Sequence, residues 1–517
     1  MKTFFKYTGL LLLIAVIGFS IWCYINMKDR HPGYNADLKI TNTKPSGLKA
    51  GFAAVPITPE VPDRWVDKNG DAEYNTDDGD SFTDGNGNGV FDGVWLAGFS
   101  NKRAANGIHD DLWARTMIID DGTTRIATVV LDAIGFMHDD VVDIRSRIPK
   151  EAGVTYLIVT STHTHESPDL LGLWGDSHFK NGVNPIYMEF VKNQVVQSVV
   201  TAAKAIRPVK FAISEDLINA APFVMDTRKP EVLDPGIRII RAIDKENGQT
   251  IGSLVAWADH PETLWSDNLQ ITSDFPHFVR EYIEKGVYKG DSLAMPGIGG
   301  IVVYMNGAIG GLMTTHPRLP VKDPFTDEVF NEPTFGKADA QGKQLALVTL
   351  KAMEKPMAEL DSASISLMVR TISLPFTNSL FKLGAALGVI NRGTDGWMSM
   401  RSEVSVFNIG PLAFATIPGE IYPEIINGGI EKPAGGDIDT EILEIPPVRD
   451  MMKGQFKFIF GLANDEVGYI IPKSQWDAKA PYTYDKSPYG EVNSLGPETA
   501  PLLHQHIKEL LNELNQK

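Results

Sequence analysis

Two histidines two residues apart, His163 and His165, follow the apolar, β-branched run Leu157-Ile158-Val159-Thr160. The run predicts a buried strand, with both histidines just past its carboxyl end. If the extended conformation persists through them, the two imidazoles share a face. Such a pair can build a metal site, one ring ligating while its neighbour serves as acid, base or support. The construction recurs. SLVAWADH, Ser253 to His260, is a strand ending in histidine; LAFATIPGE, Leu412 to Glu420, is a strand followed by a carboxylate. FKFIFGLANDEVGY, Phe456 to Tyr469, carries a tyrosine in the loop after a strand, and IVVYMNGAIGG, Ile301 to Gly311, runs a strand into a glycine-rich turn. Two imidazoles and a carboxylate are a common zinc set that leaves a position open for water. The chemistry they point to is metal-assisted hydrolysis.

Elements must bring these distant residues together. Ala50 to Ile57 reads as a first strand, and Ala114 to Ile119 and Ile126 to Leu131, joined through Asp121-Gly122, read as a β-hairpin. Helical spacing covers His138 to Ile148, Tyr187 to Ile206, Gly342 to Met353 and Thr499 to Leu514. Strands alternating with helices predict an α/β architecture, a mixed β-sheet core with flanking helices. In such sheets functional groups collect at the carboxyl ends of strands, where all four candidate ligands fall.

The chain has 517 residues, a formal net charge of −17 and a single cysteine, Cys23. The charge excludes a nucleic-acid or anionic-membrane surface as the main partner, since phosphate binding needs a basic footprint. Internal disulfides and cysteine metal clusters are excluded, so a metal must use His, Asp, Glu or Tyr. Lys2 and Lys6 precede an apolar run from Tyr7 to about Met27, closed by Lys28, Asp29 and Arg30. That is long enough to span a bilayer and no small-residue cleavage site follows it, so residues 1–30 read as an uncleaved signal anchor, with a cleaved signal peptide as the alternative. The following domain is then exported, to the periplasm or the extracellular side. Residues 31–47 are polar and read as a linker, and the folded body, 48–517, starts near Leu48.

Residues 63–93 form an acidic insertion crowded with Asp, Asn and Gly. Asp67-x-Asn69-x-Asp71 and Asp84-x-Asn86-x-Asn88-Gly89 place oxygen ligands at alternate positions, as a calcium loop does. The bidentate glutamate expected at the twelfth place is missing from both, Asp78 falling there in the first loop and Trp95 in the second. Structural Ca²⁺ on these residues and Asp92, or a solvated acidic loop, are the two readings.

In order along the chain, GIHDDLWAR (Gly107 to Arg115), STHTHESPD, WADHPETL, IPGE, NDEVGY and YGEVNSLGPETAP (Tyr489 to Pro501) resemble the neutral, non-lysosomal ceramidase family. The resemblance runs from Leu48 to the C-terminus. It implies a zinc amidohydrolase that cleaves the amide of ceramide or a ceramide-like N-acyl lipid with a metal-activated water. It also implies zinc ligands at His163, His260, Glu420 and Tyr469, with His165 beside the metal and site roles for Arg228 and Tyr489. His109 lies in a recurrent family element without an assigned role. Two departures stand out. Met313 occupies the place of a family serine that acts at the scissile carbonyl, and a methionine can neither attack nor donate a hydrogen bond. Glu166-Ser167-Pro168 replaces the family's Ser-Gly-Pro. A metal-dependent esterase or phosphoesterase on the same scaffold, and a non-catalytic metal-stabilised binding protein, stay open beside the amidase. So do the acyl chain and the oligomeric state. Pro375 to Ile390, PFTNSLFKLGAALGVI, reads as a buried helix or as the wall of a lipid groove.

Overall fold

A computed structural model describes residues 2–311, 313–484 and 488–516, with Lys2 and Thr3 described by backbone alone. Two β-sheets pack face to face between outer layers of helix. The larger runs, from one edge, through Ile301–Met305, Thr250–Ala256, Ile237–Asp244, Arg207–Asp216, Lys49–Pro56, Trp113–Asp120, Arg125–Leu131 and Tyr156–Ser161, with Ala358–Leu360 also paired to Arg207–Asp216. The smaller runs Leu38–Ile40, Ile365–Pro375, Ser399–Ile409, Leu412–Thr416 and Phe456–Phe460. Most neighbours are antiparallel. The parallel pairs within these sheets are 125–131 with 156–161, 250–256 with 301–305, and 412–416 with 456–460.

The alternation of each strand supplies the core. Phe52, Met117, Ile119, Ile126 and Ile158 of the larger sheet meet Ile365, Leu367, Val369, Phe407, Phe414 and Phe458 of the smaller in one buried cluster. Each such side chain contributes on the order of 1.5–3 kcal/mol by leaving water. The outer face of the larger sheet is covered by α2 (His138–Arg147) and α3 (Pro185–Lys204) at one end, and by α4 (Phe275–Lys285) and α5 (Phe335–Met353) at the other. The C-terminal helix, Thr499–Asn515, lays Leu503, Ile507, Leu510 and Leu514 on the outer face of the smaller sheet. Local chemistry sets the helix starts. Asn184 accepts hydrogen bonds from the N–H groups of Ile186 and Tyr187, and Pro185 takes the first helical position.

Most elements follow the expected pattern, while the helix expected over Gly342 to Met353 starts earlier, at Phe335. Residues 31–47 are packed against the domain rather than running free as a linker. Leu38–Ile40 pairs antiparallel with Val369 to Leu367, and Leu38 and Ile40 pack on the inter-sheet core. A three-residue strand carries too little alternation to show through a polar composition. The acidic insertion is also ordered, as a ribbon of Arg64–Val66 with Ser81–Thr83 around buried Trp65 and a Tyr74–Phe91 stack at 3.8 Å. The N-terminal helix, α1, spans Lys2–Met27, and its Phe4–Met27 part is long and apolar enough to cross a membrane.

The two sheets are stitched at the end where the site lies. Asn464, in the loop after 456–460, donates its backbone N–H to the Val159 carbonyl at 2.6 Å and accepts the Val159 N–H on Oδ1 at 2.9 Å. Its Nδ2 reaches the Tyr156 hydroxyl at 2.9 Å, and Glu403 beside it holds Arg145 and Tyr156. The residue is fully buried with φ +65°, a conformation that asparagine tolerates better than most side chains. Asn464→Ala should therefore cost about 2–4 kcal/mol in denaturant unfolding of the detergent-solubilised chain, from lost buried hydrogen bonds and left-handed strain. Asn464→Gly should recover about 1 kcal/mol of it, because glycine takes that φ freely.

Candidate functional site

Three histidines meet at the seam. Each is buried, and His163, His165 and His260 each offer a ring nitrogen within 4.8 Å of the others. The 156–161 strand ends at Ser161, and His163 sits at φ +69°, so a turn rather than a continuing pleat makes the two neighbouring rings converge. Their centroids are 5.1 Å apart, and His163 and His260 are 4.9 Å apart. The next loop is bound to this one by Asn306, fully buried, whose Nδ2 donates to the carbonyls of Thr162 and Asp259 at 2.9 Å each.

Backbone carbonyls set the tautomers. His163 Nδ1 donates to the Ile134 carbonyl, and His260 Nδ1 donates to the Met313 carbonyl at 2.7 Å. A carbonyl can only accept, so each ring turns its Nε2 inward. Both Nε2 atoms point at one carboxylate oxygen, Glu420 Oε2, at 3.5 Å from His163 and 3.0 Å from His260. Glu420 and Tyr469 are direct partners in a two-residue parallel ladder, Glu420–Ile421 against Tyr469–Ile470, so their side chains leave the same face, and the phenol bonds the carboxylate. Two Nε2 lone pairs, a carboxylate and a phenol, all buried, fit a small divalent cation. The fit is strengthened by His165, whose two ring nitrogens are buried without a hydrogen-bond partner among the described residues.

The charges are uneven. Burial drives His163 down to about 4, despite the nearby Glu420 charge. Burial also lowers His260, but its hydrogen bond to Glu420 and the charge of Glu262 outweigh that and raise it to about 9. Glu420 is pushed up by burial and pulled further down by His163, His260 and Tyr469, ending below the usual carboxylate range. Burial raises Glu262 to about 7, and lifts Glu466 well above the ordinary range with Glu420 adding to it.

Of the residues expected from sequence, His163, His165, His260, Glu420, Tyr469 and Tyr489 line or adjoin a single cavity of about 90 Å³. Tyr489 stands at its rim, 55% exposed, with its ring 5.9 Å from that of Tyr469. Arg228 lies in the adjoining cavity, about 260 Å³, which shares Tyr489. There its Nη2 holds Glu424 at 2.6 Å, its guanidinium lies 4.1 Å from the Tyr422 ring centre, and Nε and Nη1 have no hydrogen-bond partner among the described residues. His109 does not join the cluster. It bonds Asp110 at 2.9 Å and stacks on Phe335 at 3.8 Å, where Asp110 secures the turn into α4 through Ser273. Met313 sends its side chain into the core with Ile309, Tyr304 and Trp257, and gives the site only its backbone carbonyl. Its side chain therefore does not stand at a reacting carbonyl.

In the acidic loops the side-chain oxygens close on their own chain. Asp67 takes the N–H groups of Gly70 and Ala72, Asn69 bonds Asp71, and Asp78 bonds Asn75 in a separate turn. Asp84 accepts from Gly87, Asn88 and Gly89, while Asn86 and Asn88 both donate to Asp92. Asp84, Asn86, Asn88 and Asp92 thus gather in one loop, Asp67, Asn69 and Asp71 in another, and Asp78 in neither.

Two contributors were not singled out from sequence, and a third, Glu166, was noted there only as a departure. Glu262, two residues past His260, sits 3.4 Å from His165 Nδ1. Gly98, at φ +110°, admits the His165 ring, since a β-carbon there would lie 2.7 Å from Nδ1. Glu166, one of the departures, meets buried Arg103 at 3.1 Å and Asn268 at 2.7 Å. Glu262 and Glu166 lie inside recognised motifs, whereas nothing near Gly98 in sequence points to His165.

No protein-family model and no curated protein matches the chain. Among solved structures, the neutral ceramidase from Pseudomonas aeruginosa matches with a TM-score of 0.62 at 14% identity, covering 90% of this chain and 74% of that one. A structure titled as ceramidase complexed with C2 matches with the same score and identity over 91% and 76%. The chain has the neutral ceramidase fold.

Since burial keeps His163 neutral above about pH 4 and Glu420 and Glu262 hold a proton on His260 up to about pH 9, cation uptake at pH 7 must expel the His260 proton. Calorimetric titration with Zn²⁺ in buffers of different ionisation enthalpy should release about one more proton at pH 7 than at pH 10, with affinity rising about tenfold per pH unit up to about 9. Equal release at both would contradict this role for His260.

Proposed function

We propose that the protein is a zinc-dependent amidohydrolase of the neutral ceramidase type, cleaving the amide of an N-acyl lipid. One observation supports this above the others: two imidazoles with backbone-fixed tautomers aim their Nε2 atoms at one buried carboxylate, at the ends of strands from both sheets. His163, His260, Glu420 and Tyr469 would hold the cation. Bound there, zinc supplies a Lewis acid and makes water nucleophilic near neutral pH.

The remaining residues divide the work. His165 is buried and neutral, with both ring nitrogens unpaired, so it can carry a proton to the leaving amine, and Glu262 at 3.4 Å steadies the imidazolium that forms. Tyr489 at the rim offers a phenolic O–H to the carbonyl oxygen as negative charge develops. Arg228, lining the adjoining cavity and held by Glu424, would set a positive charge beside the polar part of the substrate. Ile134, Met137, Leu171, Leu173, Phe381 and Ile390 form an apolar wall for an acyl chain. Met313 needs no hydroxyl here, because water is the nucleophile.

A fluorogenic panel of N-acyl amides that includes a ceramide, with matched esters, tests the assignment on the detergent-solubilised chain. Chelation should abolish amide turnover and zinc restore it, and His163→Ala or Glu420→Gln should lower kcat by about 10³-fold or more, the several kcal/mol a Lewis acid contributes. Tyr489→Phe should lower kcat about 10–100-fold with KM within about twofold. Chelator-resistant amide cleavage would refute the metal role, and ester cleavage without amide cleavage would move the protein to the esterases.

A further inference from the structure

The helix α6, Ser379–Leu387, is apolar on two sides. Phe381 and Ala385 face inward, Phe381 with Ile390 lining the cavity of His163 and Glu420. Leu380 and Leu383 face out, 61% and 48% exposed, and Trp397 in the next loop is 87% exposed. A helix that separates the site from the surroundings with apolar side chains on both faces leaves its outer face to be covered.

The neighbour of α6 says what covers it. The foot of α1 is clamped to α6 and the loop after it. Asn26 Nδ2 donates to the Ala386 carbonyl at 2.9 Å, and the Met27 carbonyl accepts from the Thr394 N–H at 3.0 Å and its hydroxyl at 2.7 Å. Asp29 receives both guanidinium nitrogens of Arg401, at 2.9 and 2.6 Å. Above this clamp no residue of the apolar window of α1 is buried in the domain. Where α1 leaves the domain, a cleft against Gly388 is lined by Asn26, Lys28, Asp29 and Arg30. Basic side chains at the foot of an apolar helix, beside an exposed tryptophan, are the arrangement of a membrane–water interface. The clamp fixes α6 at that level.

We propose that the outer face of α6, with Trp397, lies in the lipid bilayer beside α1, and that the site takes its substrate sideways from the adjoining leaflet. The occupant is a phospholipid surface. It is held by apolar contact, which the overall negative charge does not oppose as it would an anionic headgroup interaction. The route rests on the N-acyl lipid amidase reading; the seating of α6 does not.

The test uses the full chain in phosphatidylcholine vesicles. In a Cys23→Ser background, Leu383→Cys carries an environment-sensitive nitrobenzoxadiazole dye, and Ile218→Cys, an apolar residue 76% exposed and far along the sequence, serves as control. Lipids brominated on their acyl chains should quench the dye at 383 at least about twofold more than at 218. Equal quenching overturns the seating. The double variant Leu380→Asp/Leu383→Asp should lower kcat/KM about tenfold for an N-acyl lipid embedded in the vesicle, leaving a short-chain soluble amide unchanged. An equal loss on both substrates overturns the route. If the unaltered chain hydrolyses neither amide, the amidase reading fails and the route with it, while quenching still decides the seating.

Discussion

Loops buried at the carboxyl ends of parallel strands must find partners for every backbone N–H and carbonyl without help from water, and the site depends on how this chain meets that demand. Two asparagines do most of it. Asn306 ties the His163 loop to the His260 loop, and Asn464 ties the 156–161 strand of one sheet to the loop after 456–460 of the other. Both offer a donor and an acceptor on one short side chain, so each can bond both directions of a neighbouring backbone. The result is a seam in which residues 305 positions apart, Val159 and Asn464, come within bonding distance.

The seam is also where charge is concentrated. Glu420, Glu262 and Glu466 are buried near His163, His165 and His260, and the proton on His260 offsets part of their charge. The Glu166–Arg103 pair is a separate arrangement outside the ligand set, in which Glu166 Oε2 is held by Arg103 and Asn268. A cation bound between the Nε2 atoms and Glu420 would take over the charge now carried by the His260 proton. Positioning through backbone carbonyls explains why Met313 can occupy the glycine-rich turn: its side chain serves the core, while its carbonyl orients His260 as any residue's would.

Strand ends were legible because apolar, β-branched runs mark the strands, and parallel pairing aligns their carboxyl ends on one side. That brought His163, His260, Glu420 and Tyr469 forward as one group, and the helices His138–Arg147, Pro185–Lys204 and Thr499–Asn515 followed from spacing. The convergence of His163 with His165 was expected from the pleat and arises instead from a left-handed turn, which no periodicity reveals. Leu38–Ile40 was hidden because three residues cannot display alternation against a polar background. Gly98 was invisible for a deeper reason: its role is to be absent beside His165, and a missing β-carbon leaves a signal only in three dimensions. His109, though in a recurrent element, went to the turn before α4, since a motif names neighbours in sequence and not in space.

The proposed function requires one cation held jointly by loops from the two sheets. Anomalous diffraction at the zinc edge from crystals of the zinc-loaded chain tests this directly. A single peak bounded by His163 Nε2, His260 Nε2, the Glu420 carboxylate and the Tyr469 phenol, with ligand distances of about 2.0–2.2 Å, is the outcome this arrangement requires. No peak there, or a peak that lies elsewhere, such as between His109 and His277, would contradict it.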